Sequence, residues 1–263
     1  MLDRTDITHA HSILTLGAAY HHRALPLTWQ VLPFGSSSQA TQLDLLQRVQ
    51  PLLPNPARVR TTLYGDCEFR AVALQTYCRD QGWHWHLGLK ADTYVWWGTK
   101  DPQPLQALPL AHGQRRYYPD VFITQEHGFG PVDLITDWPA APAAEPHYFA
   151  LDQRADRHAW RRGRKRFWIE PFFRDWKSYG FDLEATHLTQ HPRLERLVLG
   201  MATATLWLLA IGRWVVRTGR RGLLTPCHKR DDSLFRLGRA YAQRSRVMGW
   251  PLPVALLPDT EGL

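Results

Sequence analysis

The block Arg166-Phe-Trp-Ile-Glu170-Pro-Phe-Phe-Arg174-Asp-Trp-Lys177 places a glutamate four positions after an arginine and a lysine seven positions after the glutamate. A helix through this block sets Glu170, Arg174 and Lys177 on one face, at i, i+4 and i+7. Far upstream stand two aspartates, Asp3 in Asp3-Arg4-Thr5 and Asp66 in Gly65-Asp66-Cys67-Glu68-Phe69. Each lies in or just after a strand-like run. Three carboxylates converging in a basic chain suit Mg2+, a hard cation that takes oxygen ligands, with Mn2+ as the substitute. Two such ions about 3.5–4 Å apart activate an attacking oxygen and stabilise a leaving one. The substrate such a site serves is a phosphodiester.

Each acid also has a plainer role. Asp66 after Gly65 suits the cap of a following helix. Asp3, taken alone, reads more readily as a solvated residue near a frayed terminus, and Asp6 competes for its place. Glu170 is favourable near a helix N-terminus and can pair with Arg174. Only the joint arrangement points to chemistry.

The 263 residues carry a formal net charge of +8 and a pI near 9.7, which favours an anionic partner, nucleic acid or membrane surface. Arg161, Arg162, Arg164 and Lys165 form a basic cluster just before the block. It is either a solvated run or a contact for DNA phosphates. Twelve tryptophans is a high number, and most read as core packing rather than base-stacking platforms. Cys67, Cys78 and Cys227 make an odd count without a CxxC pair, so a disulfide framework and a zinc ribbon are not expected and a reducing cytoplasm fits. No signal peptide is visible. His84 and His86 alternate on a strand without an apparent third ligand. The sequence has no P-loop, GxGxxG, GxSxG or HExxH motif.

The elements that must position these residues follow from the apolar pattern. Residues 12–19 and 24–33 read as a hairpin with a turn at 20–23, and Pro26 argues for an edge position or a bulge. Ser36 to Ser38 cap a helix over 39–53. Residues 59–64 form a strand that delivers Asp66, 69–80 a helix, and 83–95 a returning strand. Gly, Pro and short strands at 116–123 and 132–135 mark a β-rich insertion. A linker at 139–146 leads to a short strand at 147–151. Pro171 suits a first helical turn, so a helix runs from about 168–170 to 179. The apolar run 197–211, shorter than a membrane span, reads as a buried helix. A basic, less organised tail follows, with prolines at 251, 253 and 258. The fold class is α/β, a ribonuclease-H-like mixed sheet with flanking helices. Its core falls in two parts, 1–95 and 147–216, separated by the insertion at 96–146 and followed by the tail at 217–263.

These residues resemble the DDE transposases of bacterial insertion sequences, of the insertion-sequence-four type. That family carries tyrosine, two residues, arginine, three residues, glutamate, six residues, lysine, which Arg166, Glu170 and Lys177 match. Asp3-Arg-Thr resembles its first aspartate motif and Gly65-Asp66-Cys-Glu-Phe69 its second. The likeness covers residues 1 to about 216. It implies Asp3, Asp66 and Glu170 as catalytic and metal-binding acids, with Arg166, Arg174, Lys177, Arg164 and Lys165 on DNA. It also implies Mg2+-dependent cutting at mobile-element ends, strand transfer, a homodimer on DNA, and a bacterial cytoplasm at the nucleoid, with no membrane partner. Gly163 stands at the family's tyrosine, and Cys67 stands where arginine more often follows the aspartate. Only Met1 and Leu2 precede Asp3, so the likeness is to a truncated member. The alternative expectation is an inactive remnant that at most binds DNA.

Overall fold

A computed structural model describes residues 1–7, 9–226 and 232–253. Cys227 and Pro258 lie outside these described residues. The chain forms two compact units: Met1–Arg4, Leu14–Leu16 and Gly35–Phe167 in the first, Thr5–Ile13, Gly17–Phe34 and Trp168–Leu263 in the second.

Among the described residues, ten strands and six α-helices build them: β1 (Leu2–Asp6), β2 (His11–Tyr20), β3 (Arg23–Pro33), α1 (Gln39–Val49), β4 (Thr62–Gly65), α2 (Val72–Asp80), β5 (His84–Leu89), β6 (Tyr94–Trp96), β7 (Gln103–Pro104), β8 (Arg115–Ile123), β9 (Phe129–Asp137), β10 (His147–Leu151), α3 (Arg157–Gly163), α4 (Ile169–Trp176), α5 (His191–Arg217) and α6 (Leu234–Met248).

In the first unit the strand order runs from the Leu14–Leu16 stretch of β2 through β1, β4, β5, β10, β9, β8 and β6 to β7. Strand β1 is parallel to β4, and β4 to β5. Strand β10 then pairs antiparallel with both β5 and β9. This is the ribonuclease-H-like mixed sheet with flanking helices that the sequence leads one to expect. The strands of the β-rich stretch join that same sheet through β10. Strands β4 and β5 bury Leu63, Leu87 and Leu89, and β8 to β10 bury Val121, Ile123, Leu134, Ile135 and Ala150. Two-sided burial of this kind goes with apolar runs rather than strict alternation.

Helix α1 starts where Ser38 accepts a hydrogen bond from the Thr41 amide. It ends at Val49, short of the expected position 53, and the chain tightens into a 3-10 turn over Gln50–Leu52 that carries a proline. Proline removes an amide donor and opposes continuation of the α-helix.

The second unit holds β3 beside β2, with α4, α5 and α6. Helix α5 is 27 residues long and half of its apolar window is buried inside the protein. By length and composition it could cross a membrane. Here Leu208, Leu209, Ile211 and Val215 pack with Phe235 and Tyr241 of α6. A Cβ on Gly212 would collide with the Leu234 carbonyl, and one on Gly238 with the Leu208 carbonyl. The two backbones therefore touch at glycine, as small residues permit. The segment expected to be a loose tail thus contains a 15-residue helix, capped by Ser233, whose hydroxyl accepts from the Arg236 amide. Its apolar positions had been masked by interleaved arginines. Of the twelve tryptophans, Trp83, Trp85 and Trp176 are buried in the core.

Candidate active site

The first aspartate pair is set by strand register. Leu2 of β1 faces Gly65 of β4 in a parallel ladder. One residue further along each chain stand Asp3, inside β1, and Asp66, just past the end of β4, so both aspartates adjoin the same strand pair. Both are half-buried. The Arg4 amide donates to Asp3 Oδ1 at 2.8 Å, and the Glu68 amide donates to Asp66 Oδ1 at 2.8 Å. Asp66 is thus the cap of a short 3-10 turn over Cys67–Phe69. Its capping role uses one oxygen; Oδ2 meets no protein donor among the described residues. Capping and metal binding are therefore compatible in the same side chain.

A cleft of about 520 Å3 opens beside Asp66. Its walls include Cys67, Lys90, Asp92, Glu145 and Arg166. Arg166, on the 3-10 turn Arg164–Trp168, lies with its guanidinium carbon 4.3 Å over the Phe167 ring. The structure so brings Asp3, Asp66 and Arg166 into one unit. Arg164 and Lys165 are exposed on the same turn. Sequence reasoning passed over Lys90, which has no motif around it, and gave no role to Arg4 and Glu68, although both stand inside the quoted aspartate motifs.

A second cleft of about 310 Å3 is lined by His86, Arg115, Asp137, Trp160 and Arg164 among others. Arg115 stacks 3.4 Å over the Trp160 ring and donates to Asp137 at 2.6 Å. Trp160 Nε1 donates to the other Asp137 oxygen at 3.1 Å. The His86 ring lies against Gly163, where any Cβ would strike it. Burial pushes the His86 imidazole down to about 4, and the charges of Arg162 and Arg166 push the same way. His86 is therefore neutral at physiological pH. His84, the other member of the histidine pair, is held through Nδ1 by Asp152 at 2.6 Å.

Glu170 belongs to the second unit, where it is exposed in the first turn of α4. The opposite face of this helix buries Ile169, Phe172, Phe173 and Trp176. Trp176 Nε1 donates to Thr205 Oγ1 of α5 at 2.8 Å. Asp175 accepts from Arg23 Nε of β3 at 2.7 Å in a nearly buried ion pair. Burial raises the Asp175 carboxyl above the usual range, outweighing the opposing field of Arg23. Arg174 is exposed, 5.9 Å from the Tyr179 ring.

Helix α4 ends at Trp176, not at 179 as the spacing predicts. Lys177 is its C-cap with ψ −125°, so the expected row of three stops at Arg174. The chain turns there because the Phe181 amide folds back to the Asp175 carbonyl and the Asp182 amide to that of Lys177. Lys177 pairs with Glu184 at 3.3 Å. Asp6, the rival acid, accepts from the Ser12 hydroxyl at 2.6 Å and also falls in the second unit.

Two carboxylates flanking one β1–β4 pair, Asp66 with an oxygen open, suit the oxygen-ligand chemistry of a hard divalent cation. Among the described residues, no group of three or more His, Cys, Asp or Glu side chains stands in metal-binding range. The fit accordingly rests on Asp3 and Asp66.

The family model for the transposase DDE domain matches residues 3–207. The chain belongs to this family of DDE-domain transposases. No curated protein matches it. One similar solved structure is a piggyBac transposase synaptic complex with hairpin DNA, at 12% identity and a TM-score of 0.42. The likeness covers 95% of this chain and 52% of that one, so this chain spans about half the length of its structural neighbour.

Proposed function

We propose that this chain cuts and joins DNA at the ends of a mobile element, as an enzyme of the insertion-sequence-four type. The observation that supports the reading is the Leu2–Gly65 pairing, which Asp3 and Asp66 both adjoin in sequence, within a transposase DDE domain. Asp3 and Asp66 hold Mg2+ or Mn2+, and Glu170 is the third acid of the reaction. When bound, the metal supplies Lewis acidity for charge on the phosphodiester oxygens.

The protein's own residues do the remaining work. The Arg4 and Glu68 amides fix the orientation of the two aspartates. Arg166 and Lys90, on the walls of the cleft beside Asp66, draw the phosphate backbone toward it. Arg164, Lys165, Arg174 and Lys177 add backbone contacts, which position DNA without reading its sequence. The net charge of +8 steers DNA toward the protein at low salt. The enzyme acts as a homodimer that pairs two element ends, in a bacterial cytoplasm at the nucleoid.

The test is metal-dependent nicking of element-end DNA by the full chain. Wild type nicks with Mg2+ or Mn2+ and not with EDTA; Asp3→Asn, Asp66→Asn and Glu170→Gln do not nick. Equal nicking by Glu170→Gln and wild type removes Glu170 from the reaction. Salt-sensitive DNA binding with no nicking in either metal leaves the alternative of an inactive, DNA-binding remnant.

A further inference from the structure

The two residues whose amides clamp the aspartates also bind each other. Arg4 donates its amide to Asp3, and Glu68 donates its amide to Asp66. Arg4 Nε then lies 3.2 and 3.0 Å from the two Glu68 carboxylate oxygens. Both side chains are only 19% exposed. Ser37, before α1, adds its amide at 2.9 Å and its hydroxyl at 2.6 Å, both to Glu68 Oε1. Buried Gln42 of α1 donates to the Ser37 hydroxyl at 2.9 Å.

Glu68 sits two residues from Asp66 and has the chemistry of a metal ligand. Its oxygens are already committed, however. Oε1 accepts from three donor atoms and Oε2 from Arg4. Charge-assisted bonds of this kind are among the stronger ones in proteins. A carboxylate so engaged anchors its neighbours rather than taking a cation.

We propose that Arg4 and Glu68 form a positioning pair that holds the Asp3 and Asp66 carboxylates in the orientation a divalent cation needs. The circuit runs from Asp3 through the Arg4 amide and guanidinium to the Glu68 carboxylate, then through the Glu68 amide to Asp66. Residues that orient ligands from behind in this way tune metal affinity. The inference rests on the reading above, in which these aspartates hold the metal.

The experiment uses the full chain with Glu68→Gln, Arg4→Met and Arg4→Lys. Glu68→Gln keeps an oxygen for Ser37 and loses the ion pair; Arg4→Met keeps the stem; Arg4→Lys keeps the charge. Amide hydrogen exchange is read by NMR without metal, and Mn2+ binding by electron paramagnetic resonance. The expected result is faster exchange at the Arg4 amide in Glu68→Gln and at the Glu68 amide in Arg4→Met. Mn2+ affinity falls about tenfold in both, with part of it restored in Arg4→Lys.

Unchanged exchange at both amides overturns the circuit. Faster exchange with wild-type Mn2+ affinity also overturns the proposal, because the pair then only pins β1 to the turn. Wild type that shows no Mn2+ binding sensitive to Asp66→Ala sinks the metal reading itself, and the purpose assigned to the pair falls with it. That last outcome is recognised by comparing wild type with Asp66→Ala, before any variant at 4 or 68 is compared.

Discussion

Asp3 and Asp66 each accept a backbone amide at the carboxylate, whereas the helix that carries Glu170 is anchored through its buried face. In the first unit each aspartate accepts a backbone amide, and a polar circuit ties those amides together. In the second unit Glu170 itself projects from a helix anchored by Trp176, Phe172 and the Arg23–Asp175 pair. The contrast teaches that an acid can be aimed in two ways. A polar circuit sets the side chain and leaves stability almost untouched by isosteric change. A buried footing sets the whole element, so its loss costs the fold.

The largest expected effect comes from removing that footing. Trp176→Ala deletes a fully buried ring and its bond to Thr205, and denaturant unfolding should show a loss of about 4 kcal/mol. Next, Asp175→Ala leaves the half-buried Arg23 guanidinium without its carboxylate, a loss of about 3 kcal/mol in the same measurement. An equally large loss for Asp66→Asn would break the comparison.

The His86 imidazole supplies a pH-dependent counterpart in the first unit. Its folded value, about 4, is below the ordinary 6.5, so between these values the unfolded chain takes a proton that the folded chain refuses. Stability therefore falls as pH drops from 6.5 toward 4, by up to about 3 kcal/mol at the lower end. Urea midpoints at pH 7 and 4.5 measure the slope, and His86→Gln should flatten it.

Smaller effects sharpen the polar side. Asp66→Asn keeps a good cap, so stability should change by no more than about 0.5 kcal/mol while nicking is lost. Lys177→Ala removes a partly exposed ion pair with Glu184 and should cost about 0.5 kcal/mol or less. Its effect on DNA binding should be seen as a shallower salt dependence.

Much of this could be read from the residues alone. The strand at His147–Leu151 has the expected bounds, and the hairpin around His21 and His22 falls within a residue or two of its reading. Asp66 caps the turn that Gly65-Asp66 announced. Local chemistry, alternation and caps carry those signals. The Arg4–Glu68 pair was not legible, because its partners are 64 residues apart and meet only through β1–β4 register. The end of α4 was missed for a related reason: backbone bonds to Phe181 and Asp182, further along the chain, override helical periodicity at Lys177. Likewise Gly163 looked like a gap in a motif, whereas its bareness makes room for the His86 ring.

The glycine crossing of α5 and α6 has a consequence for shortened versions of this chain. With carbonyl against bare α-carbon at Gly212 and Gly238, the last helix works as a lid glued to its neighbour. A version stopped at Thr225 would leave Leu208, Ile211 and Val215 as an oily stripe in water. Such a product would clump during purification, and what looks like a dispensable appendage in the linear sequence is the plug over that stripe.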